Sequence, residues 1–454
     1  METLILIVRG GAGVALALLL LIAQGCASYD SNDRFATLAK TIETEGAGNG
    51  DVDIKKVDVN DRLDQIDRID IKTAIRIALD NNPSLMAIRE KVNEAMGKYP
   101  IVTALDDPTI GVGLYPSTIA SNATGLRYKF DYRQPIPYPG KLHLKGERAL
   151  AEADAMFSDF GYAKLELIRL VKTAYLELWF TRAAIDINNE DKKLLKEFKT
   201  IAAGRYSAGK GALQDVIHAD LDLAKVEHKQ IVLKRTLNIA TARLNVLLGR
   251  AARLSLPAPS GLPEVTPLPD KEAMIKRALS HNPAIGAAIS RITAAKASLK
   301  LARSQSYPDF AVSGSYNRAW MSEDLRPFIG ISLNVPIQFG RLRAEKNIAL
   351  AKLNRSKSIL KAMEDQVRFK VEEPAQKIEE FHHAGKLFRE AIIPESELNL
   401  DAARAGYSSG KNDFLTLIMA ERGLIDSRLK YKRIMVDLRI WEAKLISATG
   451  ESDE

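Results

Sequence analysis

Apolar and polar residues alternate in two different rhythms along this chain. In Thr109-Ile110-Gly111-Val112-Gly113-Leu114-Tyr115 the apolar positions are Ile110, Val112 and Leu114. In Leu126-Arg127-Tyr128-Lys129-Phe130-Asp131-Tyr132 one face is Leu126, Tyr128, Phe130 and Tyr132, and the other is Arg127, Lys129 and Asp131. Period two is the signature of a strand. The polar segment Pro116 to Thr124 between the runs makes them a hairpin. A second pair follows in the other half: Phe310 to Asn317, then Phe328 to Val335, where Ile329, Ile331, Leu333 and Val335 oppose Gly330, Ser332 and Asn334. Strands are expected over about 109–115, 126–133, 310–317 and 328–335.

The second rhythm is helical. A helix is expected from about Asp70, a suitable N-cap, to about Ala104, with Pro83 placed to break it early. Between Lys141 and about Tyr206 there is no proline. Roughly 65 helical residues would extend about 100 Å. The Ala, Leu, Glu and Lys content of this stretch suits a coiled coil. A returning helix, about Gly211 to Leu248, follows a turn at Ser207-Ala208-Gly209-Lys210, where Gly209 can take the left-handed conformation. The second half repeats the pattern from Leu342 to about Ala405, with interruptions expected at Pro374 and Pro394. Gly410 makes the matching turn, and Asn412-Asp413 can cap a last helix to about Ala448.

These parallels are one repeat of about 200 residues. Ala78-Leu79 and Asn82-Pro83 match Ala278-Leu279 and Asn282-Pro283. Pro108 matches Pro308, and Pro135-Ile136 matches Pro336-Ile337. Tyr206-Ser207-Ala208-Gly209-Lys210 matches Tyr407-Ser408-Ser409-Gly410-Lys411. The unit is far longer than a solenoid repeat. The chain therefore divides into repeat 1 (71–250), a linker (251–270) and repeat 2 (271–450). The linker carries Pro257, Pro259, Pro263, Pro267 and Pro269 and is expected to be extended. Residues 26–70 are polar and are expected to form an irregular N-terminal arm.

Composition changes this picture in two places. The 454 residues carry a net charge of +8, from 65 basic and 57 acidic residues spread along the chain, so nothing marks a nucleic-acid surface. The single cysteine, Cys26, follows an apolar stretch, Val14 to Ala23, behind Arg9. Such a stretch reads as a signal peptide, 1–25, rather than a membrane span. Its Gly25-Cys26 end resembles a bacterial lipoprotein signal, which makes Cys26 the expected lipidation site and Ala27 a residue compatible with the outer membrane.

No other apolar run is long enough for a membrane-spanning helix, so a membrane could be crossed only by strands. Four strands cannot close a barrel, since the smallest membrane barrels have about eight, and open edges are not tolerated in lipid. Partner copies are required: two would give eight strands and three would give twelve. Arg127, Lys129 and Asp131 would then face a wet lumen, and the long helices would form a hollow extension.

The order of segments, the Pro-Ile after each second strand and the Tyr-Ser-x-Gly-Lys turns resemble the TolC-like outer-membrane efflux proteins. Gln134 to Leu142 (Gln-Pro-Ile-Pro-Tyr-Pro-Gly-Lys-Leu) and Asp106-Asp107-Pro108 are most similar to the heavy-metal efflux branch. The resemblance implies a mainly α fold with a membrane β-barrel portion: a homotrimer with a twelve-stranded barrel in outer-membrane lipid and a helical periplasmic tunnel. It also implies a periplasmic adaptor (a membrane fusion protein) and an inner-membrane pump of RND or ABC type as partners. By the same resemblance, the turns around Tyr206, Gly209 and Lys210 and around Tyr407, Gly410 and Lys411 are the periplasmic tip. Some members close the pore with aspartates on the last helix. Thr416 and Met419 stand at those positions, with Asp215 and His218 in the matching frame of repeat 1. Asp215, with Asp413, or an apolar ring at Met419 is the expected constriction; simple helix capping by Asp215 and Asp413 is the alternative.

None of the six histidines shows metal-ligand spacing, and no nucleotide-binding or hydrolase motif occurs. Neither a cofactor nor an enzyme activity is expected. The functional reading is an exit duct for metal ions or small toxic compounds. The alternatives are the duct of an ABC-driven type I secretion system, or a pore-less coiled-coil scaffold lipoprotein.

Overall fold

A computed structural model of the chain describes residues 29–46, 67–115, 127–263, 270–318 and 326–451. The expected signal segment 1–25, Cys26, Pro116–Thr124 and Leu126 lie outside them. The helices are α1 (Tyr29–Gly46), α2 (Ile71–Asn81), α3 (Pro83–Thr103), α4 (Lys141–Ser207), α5 (Leu213–Leu247), α6 (Lys271–His281), α7 (Pro283–Ser304), α8 (Phe339–Leu387), α9 (Ile393–Ser409) and α10 (Phe414–Thr449). The strands are β1 (Arg68–Ile69), β2 (Thr109–Tyr115), β3 (Arg127–Ile136), β4 (Ala258–Pro259), β5 (Asp309–Asn317) and β6 (Pro327–Asn334). The chain separates into two compact units: 1–48, 89–159 and 286–363 in the first, and 49–88, 160–285 and 364–454 in the second.

The first unit holds a four-stranded antiparallel sheet in the order β2-β3-β5-β6. Its register gathers the apolar residues on one face. Ile110 lies opposite Tyr132 and Val112 opposite Phe130. Phe130 in turn faces Tyr316, and Val312 faces Ile331. The other face carries Lys129, Asp131 and Arg133 beside Asn317, Ser315 and Ser313. Because side chains alternate with period two, a shift of one residue would exchange the two faces; Gln134, opposite Val312 on the apolar face, and Phe328, opposite Ser315 on the polar face, are the exceptions. β3 runs past the expected 133 to Ile136 because β5 continues the ladder there, with Ile136 opposite Phe310.

Where β3 passes into α4 and β5 begins, Lys141 and Asp309 lock the chain. The Lys141 ammonium lies 2.8 Å from Asp309 Oδ1 and donates to the Tyr307 carbonyl at 3.1 Å. The Tyr138 amide donates to the same carboxylate at 2.7 Å, and the Tyr138 and Tyr307 rings stack at 4.7 Å. The N-terminal arm departs from expectation. Tyr29–Gly46 is a helix, not an irregular segment. Phe35 stacks on Tyr99 at 4.7 Å, Leu38 and Ala39 join the Ala95–Met96–Ala153 cluster, and Arg34 pairs with Asp154 at 3.5 Å. Apolar residues three and four apart, Phe35, Leu38 and Ala39, supply a half-buried stripe that a mostly polar composition conceals.

The second unit shows why Asn-Pro recurs. Asn82 Oδ1 accepts from the Ser84 and Leu85 amides at 3.0 and 3.1 Å, while its Nδ2 donates to the Leu247 carbonyl at 2.9 Å. Asn282 repeats this with the Ala284 amide and the Ala448 carbonyl, both at 2.9 Å. Each asparagine thus caps a helix whose first residue is proline and ties it to the end of its repeat's last helix. The expected helix 70–104 is accordingly two helices, with Asp70 capping the first. In the linker, Ala258–Pro259 pairs in parallel with Arg68–Ile69, and Tyr175 donates to the Ile69 carbonyl at 3.2 Å; residues 264–269 lie outside the described set. The interruption expected at Pro374 is absent: α8 continues through it, with Val371 and Ile378 buried on either side. Packing of those neighbours outweighs one lost hydrogen bond. The break comes instead at a π turn, Phe388–Ile392, directly before α9 and Pro394. Widening the helix there removes the clash that proline would make with the preceding turn.

Candidate functional site

The two Tyr-Ser-x-Gly-Lys turns close α4 and α9 with the same hydrogen bonds. Gly209 donates to Tyr206 O at 2.9 Å and Lys210 to Arg205 O at 2.8 Å; Gly410 donates to Tyr407 O at 3.1 Å and Lys411 to Gly406 O at 2.8 Å. Gly209 has φ 68° and Gly410 φ 79°. A side chain is strained in that left-handed region, which explains glycine at both positions.

Their side chains differ. Tyr206 is exposed. Tyr407 is only 2% exposed and packs edge-on against Phe414 at 5.4 Å. Residues of repeat 1 hold Tyr407 from two sides. Its hydroxyl donates to Asp215 Oδ2 at 3.0 Å. The Arg205 guanidinium lies 4.8 Å from the ring centroid, donates to the Tyr407 and Ser408 carbonyls, and reaches the Lys210 carbonyl of its own turn at 3.0 Å. Burial and the neighbouring Asp215 carboxylate push the Tyr407 phenol up to about 12, against an opposing effect of Arg205. The phenol therefore stays a donor at any physiological pH. One arginine and one aspartate of the first turn clasp the second.

The remaining tip candidates separate by role. Asp413 is the N-cap of α10, accepting from the Thr416 amide at 2.8 Å and the Thr416 hydroxyl at 2.5 Å; those bonds lower its carboxyl below the ordinary range. Asp215 is not a cap. Ala212 holds the N-cap position of α5 and has no side-chain bond, which frees Asp215 for Tyr407. His218 lies beside the Gln214 amide at 3.4 Å, and Met419 is exposed. Lys210 and Lys411 are exposed at the turns. In the sheet, Lys129 and Asp131 form an ion pair at 2.8 Å, and Arg127 is the first residue of β3, in register with Tyr115.

A further cluster has no counterpart among the residues that the sequence singles out. Glu421, 2% exposed, sits among Phe414, Leu417, Ile418, Leu424 and Ile425 on the buried face of α10. Asp191 of α4 lies beside it, and Asp222 of α5 is nearby, bound by Arg422 at 2.6 Å and Lys225 at 2.9 Å. Burial, then the hydrogen bond and charge of Asp191, and then Asp222 raise the Glu421 carboxyl to about 9, with Arg422 opposing. Glu421 is therefore protonated at pH 7, which relieves the charge it would otherwise set against Asp191. The signal was legible: an acid stands at a helical core position in an otherwise apolar stripe.

Among the described residues no group of three His, Cys, Asp or Glu can hold a metal ion, and no helix is long and apolar enough to cross a membrane.

The comparisons fit this geometry. The family model described as outer membrane efflux protein matches residues 74–250 and 274–451, both repeats. The cobalt-zinc-cadmium resistance protein CzcC of Cupriavidus metallidurans is 19% identical over 365 residues, covering 80% of this chain and 86% of that protein. The cation efflux system protein CusC of Escherichia coli is 22% identical over 403 residues, covering 84% and 86%. The solved outer-membrane channel OprN superposes with a TM-score of 0.74 at 20% identity, over 84% of this chain and 90% of that one, which shows a shared fold. The chain thus belongs to the outer membrane efflux protein family, as an outer-membrane efflux channel and not an enzyme.

Proposed function

We propose that this chain is the exit duct of a tripartite efflux system. In this reading three copies close a twelve-stranded barrel, anchored in addition by lipid on Cys26, and a periplasmic adaptor joins the helical end to an inner-membrane pump. The observation that carries it is the sheet. It has one apolar and one polar face and two open edges, β2 and β6, among the described residues. An apolar face suits lipid, but open edges do not, so further copies must supply the missing ladder. Arg127, Lys129 and Asp131 then face the lumen. Exposed apolar residues four apart on α5, Leu213, Ile217 and Leu221, give the helices a matching surface for neighbouring copies.

The clasped turns are the closed end of the duct. Opening requires the second turn to leave Arg205 and Asp215, so these residues, with Tyr407, set the closed state. Thr416 and Met419 stand where an acidic ring would close the pore in some members, and Met419 supplies an apolar surface in its place. The cargo class is metal cations or small toxic compounds, supported by relatives named for cobalt-zinc-cadmium resistance, cation efflux and fusaric acid resistance. Family membership sets aside the pore-less scaffold. The test is single-channel conductance of the detergent-purified protein in a planar bilayer, with its mass measured alongside. Discrete small currents from a trimer are expected, with larger currents for Asp215→Ala. A monomer without current overturns the reading.

A further inference from the structure

The internal repeat carries enough information to specify how one copy pairs with the next. β2 corresponds to β5 at an offset of 200 residues, set by Pro108 and Pro308; β3 corresponds to β6 at an offset of 201, set by Pro135-Ile136 and Pro336-Ile337. The two hairpins confirm these offsets independently. In the first, Thr109 lies opposite Arg133 and Val112 opposite Phe130. Shifting each strand by its own offset gives Asp309 opposite Asn334 and Val312 opposite Ile331, which are the observed partners in the second. The hairpins map onto each other without slip.

The seam between repeats, β3 with β5, has Ile136 opposite Phe310, Gln134 opposite Val312 and Tyr132 opposite Gly314. Its counterpart joins β6 of one copy to β2 of another. Carrying the same offsets across, we propose that Ile337, Val335 and Leu333 of one copy lie opposite Ile110, Val112 and Leu114 of the next. This rests on the barrel reading above and adds the register to it.

Two observations support the pairing. All six side chains are exposed in the single chain, and every mapped pair joins apolar to apolar. A slip of one residue would set Val335 against Gly111 or Gly113 and mix the faces. The strand lengths also differ in the expected way. β3 reaches Ile136, whereas β6 stops at Asn334, three residues short of the corresponding Ile337. The last three residues of β3, Gln134, Pro135 and Ile136, are held by Val312, Ala311 and Phe310 of β5 respectively; the mapped partners of Val335, Pro336 and Ile337 are, in the same order, Val112, Gly111 and Ile110 of the next copy. Pairing there extends β6 to full length. Proline is no obstacle, since Pro135 already lies within β3 opposite Ala311. One element does not transfer: the Lys141–Asp309 lock maps to Leu342 and Thr109, so the seam between copies rests on the ladder and apolar contacts.

Cysteine pairs in the full-length protein test the register, because a disulfide forms only when the Cα atoms lie within about 7 Å. Val335→Cys combined with Val112→Cys is expected to cross-link copies into dimer and trimer bands under mild oxidation. The yield should exceed by about ten-fold that of Val335→Cys with Ile110→Cys or with Leu114→Cys, the pairs displaced by two residues. Leu333→Cys with Leu114→Cys provides a second pair should the first disturb folding. Stronger cross-linking of a displaced pair overturns the register and leaves the barrel standing. A protein that is monomeric by mass and cross-links through no pair overturns the barrel, and the register with it. A trimer that cross-links through none of these pairs overturns the register alone.

Discussion

The two Tyr-Ser-x-Gly-Lys turns share a sequence motif, a backbone and a hydrogen-bond pattern, yet they occupy opposite positions in their interaction. Tyr206 is 47% exposed, whereas Tyr407 is almost fully buried. The neighbours explain the difference. Position 205 is arginine and its counterpart 406 is glycine; position 215 is aspartate and its counterpart 416 is threonine. The first turn supplies the groups that hold, and the second supplies the ring that is held. The capping residues trade places too: α10 begins with the cap Asp413, and α5 begins with Ala212, which has none. The asymmetry continues along the returning helices. Glu421 is buried beside Asp191, while its counterpart Asp220 is exposed and pairs with Lys199 at 2.5 Å. Duplication gives two equal turns; a clasp needs two unequal ones, and a few substitutions in the flanking residues are sufficient.

The sharpest break in this comparison is truncation of each tyrosine. Tyr407→Ala should cost about 3–5 kcal/mol, as expected for a buried aromatic ring, while Tyr206→Ala should stay within about 0.5 kcal/mol. Urea unfolding of the purified protein, or hydrogen exchange over residues 200–220 and 400–425, separates them. Equal losses would remove the asymmetry.

The acids come next. Glu421 has its carboxyl raised from the ordinary 4.5 to about 9 in the folded chain. The folded state therefore binds more protons than the unfolded state between those values, and stability falls as pH rises through that window. Tm should decline from about pH 5 to about pH 9 in wild type, and Glu421→Gln should flatten that slope. Asp220→Asn should leave it intact. An unchanged slope in Glu421→Gln would rule out the raised carboxyl.

Removing only the hydroxyl is a smaller change. Tyr407→Phe loses a hydrogen bond to a charged, partly buried group, about 1.5 kcal/mol. Combined with Asp215→Asn, the loss should be less than the sum of the two single losses. Additive losses would mean that the pair is not coupled. The smallest effect is a gain. Ala212→Asp gives α5 the cap that α10 already has, and should stabilise its first turn by about 0.5–1 kcal/mol, read as slower hydrogen exchange at residues 213–216.

Much of the architecture could be read from the chain. Period-two runs located all four long strands, and Asp70, Gly209, Gly410 and Asp413 marked helix ends correctly because caps and left-handed turns depend on local residues. The errors have a common cause. The polar sequence of α1 predicts an irregular arm because what stabilises the helix is Phe35 on Tyr99, a contact distant in sequence. Pro374 was expected to interrupt α8, and buried neighbours hold the helix through it. Arg205 has no local signature, being an arginine one residue before a turn whose partners, Tyr407 and Ser408, lie some two hundred residues away. The apolar stripe around Glu421 marks it in the sequence, whereas nothing local marks its neighbour Asp191.

By itself the sequence determined the repeat, the alternation of strand faces, the helix ends and, through two offsets, the correspondence between hairpins. All of these depend on period, backbone preference or identity along the chain. Only the tertiary structure decided which of two like turns is held, which of two like acids is buried, and which edges of the sheet remain open. Those outcomes depend on what lies opposite each residue in space, and burial and charge pairing act on that neighbourhood whatever the distance along the chain.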